Sequence, residues 1–295
     1  MRRIGVIGLG GMGQALTKCL LAKGYQVTCY DRRDEAVASM SVRGASPAMS
    51  ARRVAENSDV VFTSLPGPAQ VLDVALDPEL GVLVGLAPGA ALFDMSTCSP
   101  EVAEELEPAF TRAGRVFVDC PVSGEAPSMV VLVGGEDGVF GQNEQVLQEV
   151  SSKLIYCGRP GAGYATKLLN QHVKYSWYIA SAEALLVAKK MGLDVAGVAT
   201  AIQESSGGRS GFTHAAEYYR KDTQAMQRRA PASTIEKDML LAEAMAFRAG
   251  VDCPSLTVVA DFFREVSSTP FRQKPYPESN ELLEIIRTSH AKTDV

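Results

Sequence analysis

The sequence has few of the residues from which metal sites and nucleic-acid surfaces are built. Its three histidines lie far apart, and none of its six cysteines forms a Cys-x-x-Cys pair or a zinc-binding spacing. The net charge is −5, and the one basic cluster, Arg228-Arg229, is too short for a nucleic-acid surface. We therefore expect no metal and no nucleic-acid partner, and we expect reduced thiols, as in a cytosolic protein.

Long apolar runs are also missing. Met1-Arg2-Arg3 resembles the start of a signal peptide, but the apolar residues that follow are broken by glycines from Gly5 to Gly13. Residues 81–93 contain Pro88 and are fewer than the roughly 20 needed to span a bilayer. Hydrophobic residues make up 46% of the chain, which is typical of a globular protein with a core. We expect a cytoplasmic protein with no membrane partner.

Short β-branched and aromatic runs recur along the first 160 residues, several of them with helical segments between. They predict strands at 4–7, 26–30, 60–64, 91–94, 116–119, 129–133 and 154–157. This alternation predicts an α/β fold in which a Rossmann-type, doubly wound sheet carries helices on both faces.

The pattern changes after residue 158, where glycines and a proline crowd the chain. Residues 164–191 then contain no proline or glycine and predict a helix of about 42 Å. No later segment predicts a strand. The sequence thus predicts a Rossmann domain at 1–160, joined by the long helix to an all-α domain at 161–295.

The long helix carries apolar residues on more than one side. A helix that is apolar all round is buried, and about 135 residues are too few to cover it alone. We therefore expect a homodimer or homotetramer in which the second domains touch. The apolar residues are Leu168, Val173, Trp177, Ile179, Leu185, Leu186 and Val187.

A glycine-rich turn follows the first predicted strand and opens a helix. It reads Gly8-Leu9-Gly10-Gly11-Met12-Gly13, and Asp31 ends the next strand at the spacing of a dinucleotide-binding fingerprint. The glycines let the backbone approach a pyrophosphate, and the helix N-terminus offers free N–H groups. A bare turn without a ligand is the alternative. Asp31 favours NAD by accepting ribose hydroxyls, whereas Arg32 or Arg33 would favour the 2′-phosphate of NADP.

Four motifs together resemble the β-hydroxyacid dehydrogenase family, which includes 3-hydroxyisobutyrate dehydrogenase and tartronate semialdehyde reductase. Smaller similarities are Leu65-Pro66 and Asp94-Met95-Ser96-Thr97. The four motifs are Gly8 to Gly13, Asp119-Cys120-Pro121-Val122-Ser123-Gly124, the run from Gly161 to Gln171, and Lys237-Asp238-Met239-Leu240-Leu241-Ala242.

The resemblance implies roles for individual residues. Lys167 would be the catalytic acid/base, and Asn170 or Gln171, on the same helix face, would orient the substrate hydroxyl or the nicotinamide. Ser123 and Gly124 would bind the carboxylate of a small substrate. The remaining residues would contact the cofactor: Leu65, Pro66 and Thr97 on the nicotinamide side, and Lys237, with Asp238, on a closing helix. A surface arginine is the favoured interpretation of Arg209, and a second ligand for the carboxylate is the alternative.

Three departures from the family pattern bear on the substrate. Glu125 stands where a second glycine is usual, and the stretch after it is short. Ala230-Pro231 replaces an aromatic residue before Lys237, and Asn170-Gln171 replaces Asn-Asn.

The leading hypothesis is hydride transfer between NAD, or NADP, and a small 3-hydroxy acid or its semialdehyde. An NADPH-dependent imine reductase shares the architecture, but that group lacks the lysine kept at 167. A dinucleotide-binding module without catalysis is the alternative from another class, and hydride transfer with any 3-hydroxy acid would eliminate it.

Overall fold

The predicted alternation of strands and helices gives one large sheet in the first part of the chain. The structure is a computed structural model. It describes residues 2–124, 126–135, 143–205 and 211–289. The chain divides into two units, Met1–Lys167 and Leu168–Val295. The division lies inside the long helix, and the domain boundary near residue 160 stays a prediction.

Within the described part of the first unit, nine strands form the sheet. Their order is β3-β2-β1-β4-β5-β6-β8-β7, with β9 paired to β8. The six strands β1 to β6 are parallel and follow the 3-2-1-4-5-6 order of dinucleotide-binding folds. The bounds are β1 (Arg3–Ile7), β2 (Gln26–Tyr30), β3 (Ser46–Pro47), β4 (Val60–Thr63), β5 (Ala91–Asp94), β6 (Val116–Asp119), β7 (Val122–Ser123), β8 (Met129–Gly134) and β9 (Ser151–Gly158).

Both faces of the sheet are buried. In β4, Val60 and Phe62 pack into one hydrophobic core, while Val61 between them packs into another. Successive strand residues point to opposite faces, so this split places one core on each side. The helices that cover the sheet are α1 (Gly11–Ala22), α2 (Asp34–Ser41), α3 (Ala51–Glu56), α4 (Pro68–Leu76), α5 (Val82–Gly85), α6 (Pro100–Arg112) and α7 (Glu144–Val150). The predicted fold class is confirmed.

The long helix α8 spans Ala162–Lys190, close to the predicted 164–191. The later elements are α9 (Val195–Glu204), α10 (Gly211–Tyr219), α11 (Thr223–Met226), α12 (Ala232–Arg248), α13 (Pro254–Ser267), α14 (Asn280–Ser289) and two 3₁₀ helices, Pro270–Gln273 and Tyr276–Ser279. As predicted, no strand lies in the described residues of the second unit.

The core of the second unit is rich in aromatic residues. The rings of Tyr178 and Tyr276 meet edge to face, with centroids 4.8 Å apart, and the Tyr178 hydroxyl donates to Asn280 Oδ1 at 2.5 Å. Edge-to-face contacts and a satisfied hydroxyl both stabilise a buried tyrosine. Side-chain packing within this unit therefore holds its part of α8 in place.

Candidate active site

The glycine-rich turn has the geometry that its sequence predicts. Gly8 has a φ of +89°, a conformation that favours glycine. A Cβ at Gly13 would lie 1.8 Å from the Gly8 carbonyl oxygen, so only glycine lets α1 approach β1 this closely. At Gly10 and Gly11, by contrast, a Cβ would meet no atom within 4 Å. The first and last glycines are required by packing, and the two central ones border open space.

That open space lies at the start of α1. Gly10 is the N-cap, no side chain caps the helix, and its first turn has no acidic residue. Backbone N–H groups in such a turn have no partner within their own helix and attract an anion. The residues present therefore fit the pyrophosphate of a dinucleotide, which would lie against the backbone of Gly10 and Gly11.

Asp31 lies at the end of β2, next to the same turn. Its Oδ2 accepts the Leu9 N–H at 2.6 Å, and its Oδ1 accepts both the Arg33 N–H at 2.9 Å and Arg33 Nε at 3.1 Å. Burial alone would raise the pKa of Asp31, but the bonds from Arg33 and Leu9 together hold it below its usual value. Asp31 is thus an ionised carboxylate fixed beside the turn.

The two arginines after Asp31 point to different partners. Arg32 is 76% exposed and pairs with Asp73 on α4 at 3.1 Å. Arg33 instead reaches back to Asp31 and to the Leu9 carbonyl. Of the two arginines that the sequence offers for a 2′-phosphate, the structure brings Arg33 next to the carboxylate that would bind the ribose.

A buried carboxylate, Asp94, lies beneath the loops that leave β4 and β5. It accepts hydrogen bonds from Thr63 Oγ1 at 2.5 Å, Ser96 Oγ at 2.8 Å and Tyr164 Oη at 2.5 Å. Ser96 Oγ in turn accepts the Leu65 N–H at 2.9 Å. Burial raises the pKa of Asp94 above its usual value, although the hydrogen bonds from these donors act to lower it. The sequence motif contains Asp94, but its spacing assigns the residue no role.

A second buried carboxylate, Asp119, fixes the start of α8. Its two oxygens accept the N–H groups of Gly161 and Tyr164, both at 2.9 Å. A carboxylate in this position satisfies two of the orphan donors that every helix N-terminus carries and complements its partial positive charge. A Cβ at Gly134 would lie 2.2 Å from Asp119 Oδ1, so glycine on β8 makes room for it. Burial raises the pKa of Asp119 to about 6.

Lys167 follows one turn after Tyr164 in α8. Its side chain is buried, with the residue only 8% exposed, and Nζ donates to the Val122 carbonyl at 2.7 Å. Val122 precedes the predicted carboxylate ligands Ser123 and Gly124, which are both exposed, Gly124 with a φ of +88°. The structure thus ties the lysine to the strand that leads into the predicted substrate loop. Glu125 and Arg209 lie outside the described residues.

The predicted residues on the nicotinamide side differ in exposure. Leu65 and Thr97 are half-buried, and Pro66 is exposed. The Leu65 backbone is held through Ser96, as above, which fixes the start of this loop.

In the second unit, the structure brings together three of the residues singled out from the sequence. Gln171 Nε2 donates to Asp238 Oδ2 at 2.7 Å, and Lys237 Nζ lies 2.9 Å from Asp238 Oδ1. Asp238 is buried, and the ammonium offsets its charge while the amide donates to Oδ2; among the described residues, Oδ1 accepts no hydrogen bond. Asn170, the other candidate amide, is exposed. Of the two candidate amides, Gln171 is therefore the one that the structure holds by a hydrogen bond to a buried carboxylate.

Comparison with known proteins identifies the family. A family model described as the NAD binding domain of 6-phosphogluconate dehydrogenase matches residues 3–158. A second, described as the NAD-binding of NADP-dependent 3-hydroxyisobutyrate dehydrogenase, matches residues 161–274. The chain belongs to the β-hydroxyacid dehydrogenase family. The first unit of this family member is therefore an NAD(P)-binding domain.

Individual relatives agree with this assignment. The mitochondrial 3-hydroxyisobutyrate dehydrogenase of Mus musculus is 32% identical over 209 residues, a match that covers 69% of this chain and 62% of the mouse protein. The NAD-dependent L-serine dehydrogenase of Pseudomonas aeruginosa is 31% identical over 251 residues, covering 83% of this chain and 82% of the relative. The structure of Mycobacterium tuberculosis 3-hydroxyisobutyrate dehydrogenase with L-serine is 26% identical, with a TM-score of 0.85 over 96% of this chain and 99% of that one.

The described residues were also compared with the requirements of a membrane span and of a metal site. None of their helices combines the length and the hydropathy that a membrane crossing requires. No group of three His, Cys, Asp or Glu side chains among them could hold a metal ion.

Proposed function

We propose that this protein transfers a hydride between NAD(H) and a small 3-hydroxy acid or its semialdehyde, with Lys167 as the acid/base. The observation that carries the proposal is the placement of Lys167. Its amine is buried and hydrogen-bonded to the carbonyl of Val122, next to Ser123 and Gly124 in the chain. In a member of this family, a lysine so held is suited to exchange a proton with a bound hydroxyl.

Each group has a defined task in this reaction. NAD, held by the glycine turn and Asp31, would supply the hydride acceptor for the carbon that carries the hydroxyl, and the hydride donor in the reverse direction. The Lys167 amine takes the hydroxyl proton as the carbonyl forms and gives it back on reduction. The Ser123 hydroxyl and the Gly124 N–H hold the substrate carboxylate, so the reacting carbon is oriented before the transfer.

The cofactor preference follows from Asp31. A fixed carboxylate beside the glycine turn accepts hydrogen bonds from ribose hydroxyls and repels a 2′-phosphate. Arg33 does not oppose this, since its guanidinium is already bound to Asp31. We therefore propose NAD as the preferred cofactor. We also propose a cytoplasmic location, because the spacing of the six cysteines is best explained by reduced thiols.

Lys167→Met tests the proposal. Methionine keeps much of the length and packing of lysine but cannot exchange a proton. We expect turnover to fall by about 10²–10⁴-fold, the usual contribution of an acid/base group. The affinity for NAD, measured by titration calorimetry, should change little because the turn and Asp31 lie elsewhere in the first unit. The melting temperature should hold or rise, since a buried amine becomes a hydrophobe.

Lys189→Met is the matched control on the same helix. Lys189 pairs with Glu284 at the surface, with Nζ and Oε2 2.7 Å apart, and has no assigned role. Its loss should leave turnover unchanged.

The substrate is found by offering 3-hydroxy acids, semialdehydes and cyclic imines with each cofactor and following the absorbance of the reduced form. Near-normal turnover in folded Lys167→Met, or reduction of imines alone, would overturn the proposal.

A further inference from the structure

Asp94 is placed to connect the loop after β4 with the helix that carries Lys167. The connection can be followed atom by atom. The Ser96 hydroxyl has one hydrogen, and because its oxygen accepts from the Leu65 N–H, that hydrogen is available to Asp94. Tyr164 Oη donates to the other Asp94 oxygen from α8. One carboxylate thus holds both Leu65, on the predicted nicotinamide side, and Tyr164, one helical turn before Lys167.

Packing alone does not require a carboxyl group at this position. A buried carboxylate costs free energy, and an apolar group of similar size is often neutral or stabilising there. Asp94 is fully buried, yet Thr63, Ser96 and Tyr164 all aim hydroxyls at it. Asp119 holds the backbone of the same turn of α8 independently, through the N–H groups of Gly161 and Tyr164. The first turn of α8 is therefore fixed through both its backbone and a side chain.

We propose that Asp94 and Tyr164 are positioning residues that set the place of the Lys167 amine relative to the cofactor loop at Leu65. The proposal rests on the proposed function, because it gives Lys167 the acid/base role. Tyr164 and Asp94 take no part in proton or hydride transfer. They reduce the freedom of the helix turn that presents the amine, and displacements of about 1 Å at such a site cost up to about 100-fold in rate.

Tyr164→Phe removes only the hydroxyl that links α8 to Asp94. We expect kcat to fall by about 10- to 100-fold, while the dissociation constant for NAD stays unchanged. With substrate deuterated at the hydroxyl-bearing carbon, the isotope effect on kcat should increase, because misplacement slows the transfer step itself.

Tyr178→Phe is the matched control. It also removes a buried hydroxyl from α8, one that donates to Asn280 Oδ1 and lies 3.0 Å from the Tyr276 carbonyl oxygen, and Tyr178 has no part in the proposed site. We expect a comparable loss of melting temperature with an unchanged kcat and isotope effect. Equal losses of kcat in both variants would mean that Tyr164 is merely structural.

A double variant separates this proposal from the proposed function. If Tyr164 acts through Lys167, adding Tyr164→Phe to Lys167→Met should not lower the residual rate further. Additive losses would overturn the positioning role. A normal kcat in Tyr164→Phe, together with an inactive Lys167→Met, would also overturn the positioning role. That result would leave the proposed function unaffected. Normal turnover in Lys167→Met would instead remove the proposed function itself.

Discussion

At the scale of single residues, the pair Asp31 and Arg33 determines how the protein is expected to choose its cofactor. In the proposed function, Asp31 would accept hydrogen bonds from the ribose hydroxyls, and it also binds the Arg33 guanidinium that could otherwise bind a 2′-phosphate. We predict that Asp31→Ala weakens NAD binding by about 10- to 100-fold, the value of a charge-assisted hydrogen bond. NADP binding should be unchanged or stronger because Arg33 is released. Dissociation constants for both cofactors measure the effect.

The double variant Asp31→Ala/Arg33→Ala tests the second half of this argument. It should lose any gain in NADP affinity that Asp31→Ala shows alone. A wild-type protein that strongly prefers NADP would contradict the role given to Asp31.

Asp119 is expected to make the free energy of unfolding increase as the pH falls, which is the opposite of the usual effect of a carboxyl group. Burial raises the pKa of this carboxyl from 3.8 to about 6, against the hydrogen bonds from Gly161 and Tyr164 and in the same sense as the nearby Asp94. The folded state then binds this proton more tightly than the unfolded chain. The cost of the ionised form is present above pH 6, is relieved as the pH falls through 6, and is absent below about 4.

Asp119→Asn isolates this contribution from other groups that titrate in the same range. The variant lacks the ionised carboxylate, so wild type should gain about 1 kcal/mol relative to it between pH 7 and pH 5. Urea unfolding of both proteins at the two pH values gives the difference in free energy of unfolding. A difference that is constant, or that moves the other way, would show that Asp119 is not protonated in this range.

At the scale of elements, the glycine turn allows one substitution to be compared at two positions. Gly13→Ala places a methyl group 1.8 Å from the Gly8 carbonyl oxygen, where only backbone could give way. We predict a loss of stability of about 1–3 kcal/mol or more, the range for overpacking. Gly10→Ala meets nothing within 4 Å and has an allowed φ of −68°, so its stability should hold.

Gly10→Ala tests the cofactor site, because it should change the affinity for NAD without changing stability. Gly10→Ala should bind NAD at least about tenfold more weakly, because its methyl group occupies the space in which the pyrophosphate approaches the backbone. Melting temperature and NAD titration on both proteins measure this. Unchanged NAD affinity in Gly10→Ala would place the pyrophosphate elsewhere.

Local spacing explains which elements the sequence predicts. The sequence predicts a strand wherever a β-branched or aromatic run is four or more residues long, which gives β1, β2, β4, β5, β6, β8 and β9. By contrast, β3 (Ser46–Pro47) and β7 (Val122–Ser123) have two residues each and are too short to form a pattern. The turn at Gly8 and its partner Asp31 follow from a known spacing. The role of Asp94 does not, since Thr63 and Tyr164 lie 31 and 70 residues away and meet it only in the folded sheet.

The same limit applies to Arg32 and Arg33. Both follow Asp31 directly, so the sequence cannot say which of them turns back to it. The choice depends on Asp73 in α4, which pairs with Arg32, and on the Leu9 carbonyl, which accepts from Arg33. Side-chain direction at a strand end is decided by neighbours that are distant in sequence.

At the scale of the whole molecule, the structure revises the reason for expecting an oligomer. Most apolar residues of α8 are covered within the second unit itself: Leu168, Ile179, Leu185 and Leu186 are buried, and Trp177 is half-buried. Val173 is 65% exposed, and the side chain of Val187 lies outside those described. The helix is therefore largely covered by its own unit, and the argument for association moves to the surface around it.

That surface holds several large apolar side chains. Phe247 is 83% exposed and Val251 is 55% exposed, and with the buried Leu256 they line a groove of about 670 Å³ between α12 and α13. His172 on α8 bonds Ser255 on α13 at 3.1 Å, so α13 lies beside α8. Isolated exposed apolar residues are ordinary, but contiguous patches of them mark contact surfaces. This favours a second copy of the chain as the partner for the second unit.

We predict a homodimer or homotetramer at micromolar concentration, measured by light scattering after gel filtration. Phe247→Glu should shift the mass toward the monomer, because a charge buried in an apolar contact is costly. Val42→Glu is the control, since Val42 is equally exposed but belongs to the first unit. A monomeric wild type would refute the prediction. A wild-type oligomer that Phe247→Glu leaves intact and Val42→Glu dissociates would move the contact to the first unit.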